Sequence, residues 1–439
     1  MKRNLVVVIS IGVLSLGACI LIKKEVSHPV LPTSNVTVST PLPDIHLTET
    51  RVPFPSPTPL LQTTEEIPDC INIQSALPQG HSFPGSLLLV KPSVAPGDKQ
   101  LLYNLLTDEL IVLPQKYSVG YAVSPDHTQL ALDDYDAKKI DILSANGKII
   151  RSLPMQSNWG WLADWVDNQR IAIVKAEKSD NPRYIKYPAS VVILDTFTGK
   201  MQEFPPDYPN IDIANQGISL GYWGSTVYDP TLTWVVYAGM MSNPPDPMFG
   251  SLGYILYSLT KEEILAEIPD QGPRANPIWF PDGKRFVILG RDEFYQVNTH
   301  GQIEKLTDLN PDYDIVNNSG RAYLLDYHYS LSPDGNFIAF WQTKYNEDVK
   351  HDQLTFFLAI LDLTTGVVTD TCIKSGHHFF EILLADPTPI WSPDSKSLVV
   401  LANLHEGEGS RNLVLIDLVE RAAYELQSSY LPTGWLVVN

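Results

Sequence analysis

A short turn motif built on proline and aspartate recurs along this chain and constrains its fold more than any other feature. The four clear copies are Ser124-Pro125-Asp126-His127, Phe280-Pro281-Asp282-Gly283, Ser332-Pro333-Asp334-Gly335 and Ser392-Pro393-Asp394-Ser395. Proline fixes φ at the second position of a type I turn, and serine, aspartate and glycine suit the others. An apolar strand follows each copy. Asp126, Asp282, Asp334 and Asp394 are therefore predicted to be structural turn residues.

The spacing of the motif indicates a repeated unit of four strands. Weaker copies surround Asp167 and Asp229, which places the aspartates at 126, 167, 229, 282, 334 and 394, in steps of 41 to 62 residues. A second turn, ending in a glycine that tolerates positive φ, follows in several units, as at Gly199 and Gly366. A four-stranded unit that repeats at about 40 residues or more is typical of a β-propeller blade.

The two ends of the repeat region complete one more unit. Three strands are predicted near 86–90, 101–104 and 109–113, and residues 434–438 form a lone strand at the other end. Pairing these segments closes a ring and removes open sheet edges. We therefore predict an all-β, seven-bladed β-propeller over residues 70–439, closed by N- and C-terminal strands, with six blades as the alternative.

The repeats resemble the Pro-Asp (WD40-like) propeller repeats of TolB-like proteins and of the N-terminal propeller of prolyl-oligopeptidase-type peptidases. The resemblance covers residues from about 85 to 439 and implies the fold. TolB itself has six blades and a small α/β domain before its propeller, whereas this sequence has a Pro/Thr-rich segment there. The partners of TolB are therefore not carried over.

The N-terminus reads as an export signal with two interpretations. A basic start and an apolar run lead to Leu16-Gly17-Ala18-Cys19, which resembles the lipobox of bacterial lipoproteins. That resemblance implies a signal peptide over 1–18 and a lipid on Cys19. Alternatively, the 18-residue, predominantly apolar segment 5–22 forms an uncleaved membrane anchor. Either interpretation predicts attachment to the outer, extracytoplasmic face of a bacterial cell membrane.

The stretch from 19 to 69 is predicted to be a disordered linker. Nine prolines, eight threonines and no glycine lie between 29 and 68, a composition that favours extended polyproline-like chain. Cys70 and Cys372 remain as a pair, and the sequence leaves open a disulfide between the linker end and the propeller rim, or two buried thiols. The net charge of -19 argues against nucleic acid as a partner.

Long loops are predicted at one end of the ring and tight turns at the other, and long loops on a rigid scaffold usually carry binding sites. Several of these loops hold aromatic, methionine or histidine residues that fit a partner surface. The candidate binding residues are Tyr184, Tyr187, Met240, Met241, Met248, Phe249, His377 and His378. The alternative is that these side chains fold back over the propeller as part of its core.

The sequence favours a binding module over an enzyme. It contains no Ser-x-Asp-x-Gly-x-x-Trp box, and its GxSxG match, Gly217-Ile218-Ser219-Leu220-Gly221, lies within the repeat region and not in a hydrolase domain after it. His377, His378 and Glu381 are the best local metal candidates, but adjacent residues point opposite ways on a strand, so no metal or cofactor is predicted. The expected function is a non-catalytic scaffold that binds an extracytoplasmic protein or cell-wall polymer. The alternative is a propeller enzyme acting on extracellular carbohydrate.

Overall fold

The structure is a computed structural model, and the regular secondary structure of its described residues consists of β-strands. It describes residues 66–68, 70–74, 76–90, 100–113, 121–134, 137–156, 159–177, 186–204, 218–220, 226–241, 251–268, 277–290, 293–307, 309, 322–345, 355–375, 388–404, 412–426 and 430–438. All of them belong to one compact body, Pro59–Asn439. Cys19 and the linker before Glu66 lie outside these ranges.

The strands fall into successive antiparallel units, which we number in chain order. Unit 1 contains β3 (Ser86–Val90), β4 (Leu101–Asn104), β5 (Glu109–Val112) and the last strand, β31 (Leu431–Leu436). Unit 2 contains β6 (Tyr121–Val123), β7 (Gln129–Asp134), β8 (Lys139–Ser144) and β9 (Ile149–Pro154). Unit 3 contains β10 (Trp159–Trp165), β11 (Arg170–Glu177), β12 (Lys186–Asp195) and β13 (Met201–Phe204).

The next four units repeat this plan. Unit 4 contains β14 (Ile218–Leu220), β15 (Thr226–Tyr228), β16 (Trp234–Met241), β17 (Ser251–Ser258) and β18 (Glu263–Ile268). Unit 5 contains β19 (Ile278–Trp279), β20 (Arg285–Leu289), β21 (Phe294–Asn298) and β22 (Ile303–Lys305). Unit 6 contains β23 (Ala322–Leu331), β24 (Phe337–Tyr345), β25 (Phe357–Asp362) and β26 (Val368–Ser375). Unit 7 contains β27 (Ile390–Trp391), β28 (Ser397–Asn403), β29 (Asn412–Asp417) and β30 (Ala422–Leu426).

Seven hydrophobic clusters join these units in order and return to the start. In unit 6, Ile338 and Phe340 face unit 5, while Ala339 and Trp341 face unit 7, because successive side chains of a strand alternate between its faces. The other clusters join units 1 and 2, 2 and 3, 3 and 4, and 4 and 5. The last cluster packs unit 7 against unit 1 and closes the ring. This arrangement is a β-propeller.

Strand pairing confirms the predicted closure. β31 is antiparallel to β3, with Gly434 opposite Leu88, and the Trp435 side chain is fully buried between units 7 and 1. The Trp435 indole N–H donates to the Pro84 carbonyl at 2.9 Å. Hydrogen bonding groups the described strands into six sheets, because β26 also pairs with β28. The count of seven blades stays a prediction, which the order of the clusters supports.

The predicted turns have the expected chemistry. The fourth residue of each clear copy donates its N–H to the carbonyl of the first, for example Gly335 to Ser332 at 2.8 Å. The Asp334 carboxylate accepts from the Ser332 hydroxyl at 2.6 Å and from the Asn336 N–H at 3.0 Å. The fourth residues all have positive φ, including the non-glycine residues His127 and Ser395. Asp126, Asp282, Asp334 and Asp394 are thus turn residues, as predicted.

The segment before unit 1 forms a strap on the outer rim. β1 (Glu66–Pro68) runs parallel to β26, and β2 (Asn72–Gln74) runs parallel to β30. β1 lies within residues 19–69, which are predicted to be a disordered linker, so that prediction is wrong for these three residues. They form a strand because their backbone pairs with β26 at the edge of unit 6. Between the two strands, Cys70 forms a disulfide with Cys372, at a Cα–Cα distance of 4.9 Å.

A local irregularity in β26 presents Cys372 to the strap. Opposite it, the register jumps from Phe357–Lys374 to Ala359–Asp370, so β26 carries extra residues. Cys372 has a φ of 59° and donates its N–H to the Asp370 carboxylate at 2.8 Å. Thr371 points inward and donates its hydroxyl to the Leu358 carbonyl at 2.7 Å. A β-bulge of this kind redirects a side chain that a regular strand would place elsewhere.

Candidate functional site

The structure places three of the predicted binding residues in strands and not in loops. Met240 and Met241 are not in a loop but in β16, where they lie opposite Ser219 and Ile218 of β14. Tyr187 is in β12, because β11 and β12 extend further than the sequence indicated. Strand pairing of the backbone explains this difference. The remaining candidates, Tyr184, Met248, Phe249, His377 and His378, lie outside the described residues.

A cleft of about 320 Å³ lies instead at the tight-turn end. Four separate parts of the chain form it: the first Pro-Asp turn, the strands and turn of unit 2, the β12–β13 turn, and the C-terminal segment after β31. The lining residues are Thr128, Gln129, Ile142, Ser144, Ala145, Asn146, Ile150, Arg151, Thr196, Phe197, Val437 and Val438. The volume is at the lower end of the range for small-ligand sites, about 300–1,000 Å³.

Large apolar side chains are exposed around this cleft. The exposed fractions are 54% for Ile150 at the start of β9, 56% for Phe197 in the β12–β13 turn, and 70% for Val438. The Asp195 carboxylate holds the turn in place by accepting from the Phe197 N–H at 2.9 Å and the Thr198 N–H at 2.8 Å. These bonds, chiefly that from Thr198, lower the pKa of Asp195. Phe197 is therefore presented to solvent by a well-fixed turn.

Arg151 is the charged group of the cleft. Its guanidinium carbon lies 4.8 Å from the centre of the Phe197 ring, a cation–π arrangement. One of its N–H groups donates to the Thr196 carbonyl. Both contacts hold the guanidinium against the β12–β13 turn. Of the described residues that line the cleft, Arg151 alone carries a charge.

Two other arginines of the tight-turn end are paired with carboxylates. Arg170 lies 2.6 Å from Asp167, and Arg285 lies 3.3 Å from Asp282. Arg285 also stacks on an aromatic ring, that of Phe280, at 4.0 Å. Among the described residues, no carboxylate forms such a pair with Arg151. The described lining of the cleft therefore carries one positive charge, in a chain whose net charge is -19.

His127 joins the first Pro-Asp turn to the C-terminal segment beside the cleft. A carbonyl only accepts, so Nδ1 carries the proton that is donated to the Trp435 carbonyl at 2.9 Å. The Val437 N–H donates back to the His127 carbonyl at 2.8 Å. Burial lowers the pKa of His127 from its usual value of 6.5, against the opposing effects of the Trp435 carbonyl and the Asp126 charge.

Asp164 is a second notable group, on β10, the first strand of unit 3. Its side chain is exposed to water, yet desolvation by the surrounding protein raises its pKa to about 6, opposed by a hydrogen bond from its neighbour's N–H. In the part of the chain that the structure describes, no three histidine, cysteine or acidic residues come together as a metal site.

One feature of the sequence could have indicated the cleft. The turn Asp195-Thr196-Phe197-Thr198-Gly199 places a phenylalanine where a tight turn usually has a polar residue.

The membrane-attachment prediction rests on residues outside the described ranges. Within those ranges, no helix has the length and apolar character needed to cross a bilayer.

Comparisons with known proteins find similarity in three-dimensional structure. No protein-family model matches the chain, and no curated protein sequence matches it. TolB from Acinetobacter baumannii shares 14% identity at a TM-score of 0.41, over 81% of this chain and 67% of that one. An oligogalacturonate lyase from Vibrio parahaemolyticus shares 13% identity at a TM-score of 0.47, over 73% and 83%. A protein from Lactobacillus plantarum shares 14% identity at a TM-score of 0.45, over 81% and 100%.

Proposed function

We propose that this protein is an extracytoplasmic β-propeller, tethered to a membrane through its N-terminal segment, that binds a protein or cell-wall polymer without catalysing a reaction. The observation that carries this proposal is the disulfide between Cys70 and Cys372 on the propeller rim. Disulfides persist in oxidising compartments and are rare in the cytosol. The bond therefore supports a location outside the cytoplasm.

The strap supports the tethering part of the proposal. A pull on the chain before Glu66 acts first on β1, which is only three residues long. Beyond β1, the disulfide passes the load directly to β26, whose partner strand β25 is largely buried. The chain between the two cysteines is thereby relieved of the pull. Such an attachment suits a domain that must hold a partner while anchored at its N-terminus.

Thiol labelling and fractionation of intact cells test the location and the anchor. We expect the protein in the membrane fraction, accessible to external protease, with Cys70 and Cys372 blocked to thiol reagents until reduction. The variant Cys19→Ser distinguishes the anchors, since it loses a lipid label if Cys19 is acylated and stays unchanged if residues 5–22 form a helix. A cytoplasmic protein with two free thiols would disprove the proposal.

Crosslinking in intact cells tests binding at the long-loop end. Replacing residues 242–250 by a Gly/Ser linker of equal length leaves β16 and β17 intact and should remove the crosslinked partner. The matched control changes Thr364 and Thr365, which are exposed at the opposite, tight-turn end, to Gly and Ser. If the protein with the 242–250 replacement keeps the wild-type unfolding transition and still captures the partner, that result counts against binding at the long-loop end.

A second candidate function is a propeller enzyme that acts on extracellular carbohydrate, and Asp164 is the observation that favours it. A carboxyl group with a pKa of about 6 can donate and accept protons near neutral pH, as a general acid or base does. The test is degradation of acidic and neutral polysaccharides by the wild type and by Asp164→Asn. Activity that is lost in this variant would replace the binding proposal.

A further inference from the structure

The cleft at the tight-turn end has the character of a ligand site rather than of an ordinary turn surface. Its apolar side chains Ile150, Phe197 and Val438 are each more than half exposed. The guanidinium of Arg151 stands against them without a carboxylate partner among the described residues. Arg285 makes the same stacking contact in unit 5, but there Asp282 balances the charge. The Arg151 guanidinium is therefore available to pair with an anion.

Several polar groups of the cleft are already engaged inside the protein. The Thr128 hydroxyl donates to Asp126 at 2.9 Å, and the Thr196 hydroxyl donates to the Gln169 carbonyl at 2.9 Å. The Ser144 hydroxyl donates to the Asn146 side chain at 2.5 Å. These bonds reduce the capacity of the cleft to bind a polyhydroxyl ligand such as a sugar. The cleft still offers a ligand its apolar side chains, one guanidinium, and the side-chain amides of Gln129 and Asn146.

We propose that this cleft binds the C-terminus of a partner polypeptide whose last residue is apolar. The terminal carboxylate pairs with Arg151, and the last side chain lies among Ile150, Phe197 and Val438. Arg151 stacks on Phe197, and both residues line the cleft together with Ile150, so the two ligand groups must also be close together. A C-terminal residue meets this requirement because its carboxylate and side chain share one carbon. A volume of about 320 Å³ suits one residue rather than a polymer.

This proposal does not depend on the function proposed above. The cleft lies at the tight-turn end, whereas residues 242–250 connect strands at the other end. Loss of the crosslinked partner on replacing 242–250 therefore says nothing about the cleft. Failure of the peptide experiment likewise leaves the tethered propeller and its long-loop face untouched.

Titration calorimetry with short peptides tests the proposal on the full chain purified in detergent. The probes are Gly-Gly-Gly-Leu with a free carboxylate, the same peptide amidated at its C-terminus, and Gly-Gly-Gly-Lys with a free carboxylate. We expect the free acid ending in Leu to bind at least about tenfold more tightly than either other peptide, since tenfold corresponds to about 1.4 kcal/mol. Equal binding of the acid and amide by the wild type would refute the proposal.

Three variants assign the effect to the cleft. Arg151→Gln should remove the preference for the acid over the amide, and Phe197→Ser should weaken both Leu peptides. Arg285→Gln is the matched control, since it removes a stacked arginine elsewhere, and it should keep the wild-type preference. Unfolding curves show that each variant is folded. Retention of the preference in Arg151→Gln would overturn the assignment.

The chain's own end is the alternative occupant. Val437 and Val438 line the cleft, and Asn439 follows them. The proposal is wrong if peptides bind only after Asn439 is removed, or if the free acid competes with self-association of the full chain. Either result would mean that the cleft binds residues of this chain and not a partner. Peptide binding by the intact monomer is the supporting result.

Discussion

Removing the rim disulfide should lower the stability of the propeller by an amount set by the chain length that it closes. The perturbation is the double variant Cys70→Ser, Cys372→Ser, which keeps side chains of similar size. The cysteines are separated by 302 residues. The chain-entropy relation for a loop of this length gives about 5–6 kcal/mol at 25 °C. Residual structure in the unfolded chain reduces the loss, so we expect about 3–5 kcal/mol.

The strap itself should hold less strongly than the ring once the bond is gone. Its described pairing consists of two three-residue strands, and all three residues of β2 are exposed. Backbone bonds such as Ile71 N–H to the Thr371 carbonyl, at 3.1 Å, remain available. We therefore expect faster hydrogen exchange at Ile71 and Asn72 in the variant, while buried amides of β24 and β25 stay protected until global unfolding.

Urea unfolding followed by tryptophan fluorescence measures the first effect, and amide hydrogen exchange measures the second. Mass spectrometry first establishes that the wild type is oxidised, and reduced wild type serves as the matched control for the serine substitutions. If the free energies of unfolding of the oxidised wild type and the double variant differ by less than about 1 kcal/mol, the entropic reasoning fails. If Ile71 and β24 lose protection together, the strap is not a separate unit.

Two further perturbations test the ring seam. Trp435→Ala removes a fully buried indole and its bond to Pro84, and should cost about 3–5 kcal/mol in urea unfolding, whereas the exposed Val438→Ala should cost less than about 0.5 kcal/mol. Equal losses would mean that the seam does not hold the ring. His127 has its folded-state pKa lowered below the unfolded value of 6.5, so its stabilisation is complete above that value and is lost as the pH falls below it. His127→Gly, which suits the positive φ, should therefore flatten the pH dependence of stability between about pH 7 and pH 5, and an unchanged slope would assign it to other groups.

The repeat and its closure were predictable because their signals are local. Asp334 caps its own turn through Ser332 and Asn336, each of which is only two positions away in the sequence. The three strands predicted for unit 1 match β3, β4 and β5 within one residue. Successive side chains of a buried strand belong to two neighbouring hydrophobic clusters, so both faces of the strand are apolar. Such a strand is therefore recognisable in the sequence as an apolar run. Turn chemistry and apolar runs together therefore determined the fold class.

The features that the sequence did not reveal depend on pairing across the fold. The sequence places Met240 and Met241 in a long loop, yet β14 pairs with them and extends β16. β1 contains Glu66 and Pro68, which lack strong strand preference, and it forms because the edge of β26 offers unpaired backbone groups. The bulge that presents Cys372 to Cys70 has no recognisable sequence signature. In each case, a distant partner decides the local conformation.

The cleft shows the same dependence in its strongest form. Arg151, Phe197 and Val438 come from distant parts of the chain, and Val438 reaches the cleft only because β31 pairs with β3 and His127 binds Trp435 and Val437. A ligand in the cleft would therefore bind the closed ring and not the open one. Such a ligand should stabilise the seam by about 2.7 kcal/mol at a concentration of a hundred times its dissociation constant. Trp435→Ala, which weakens closure from within, should then weaken peptide binding even though Trp435 does not line the cleft.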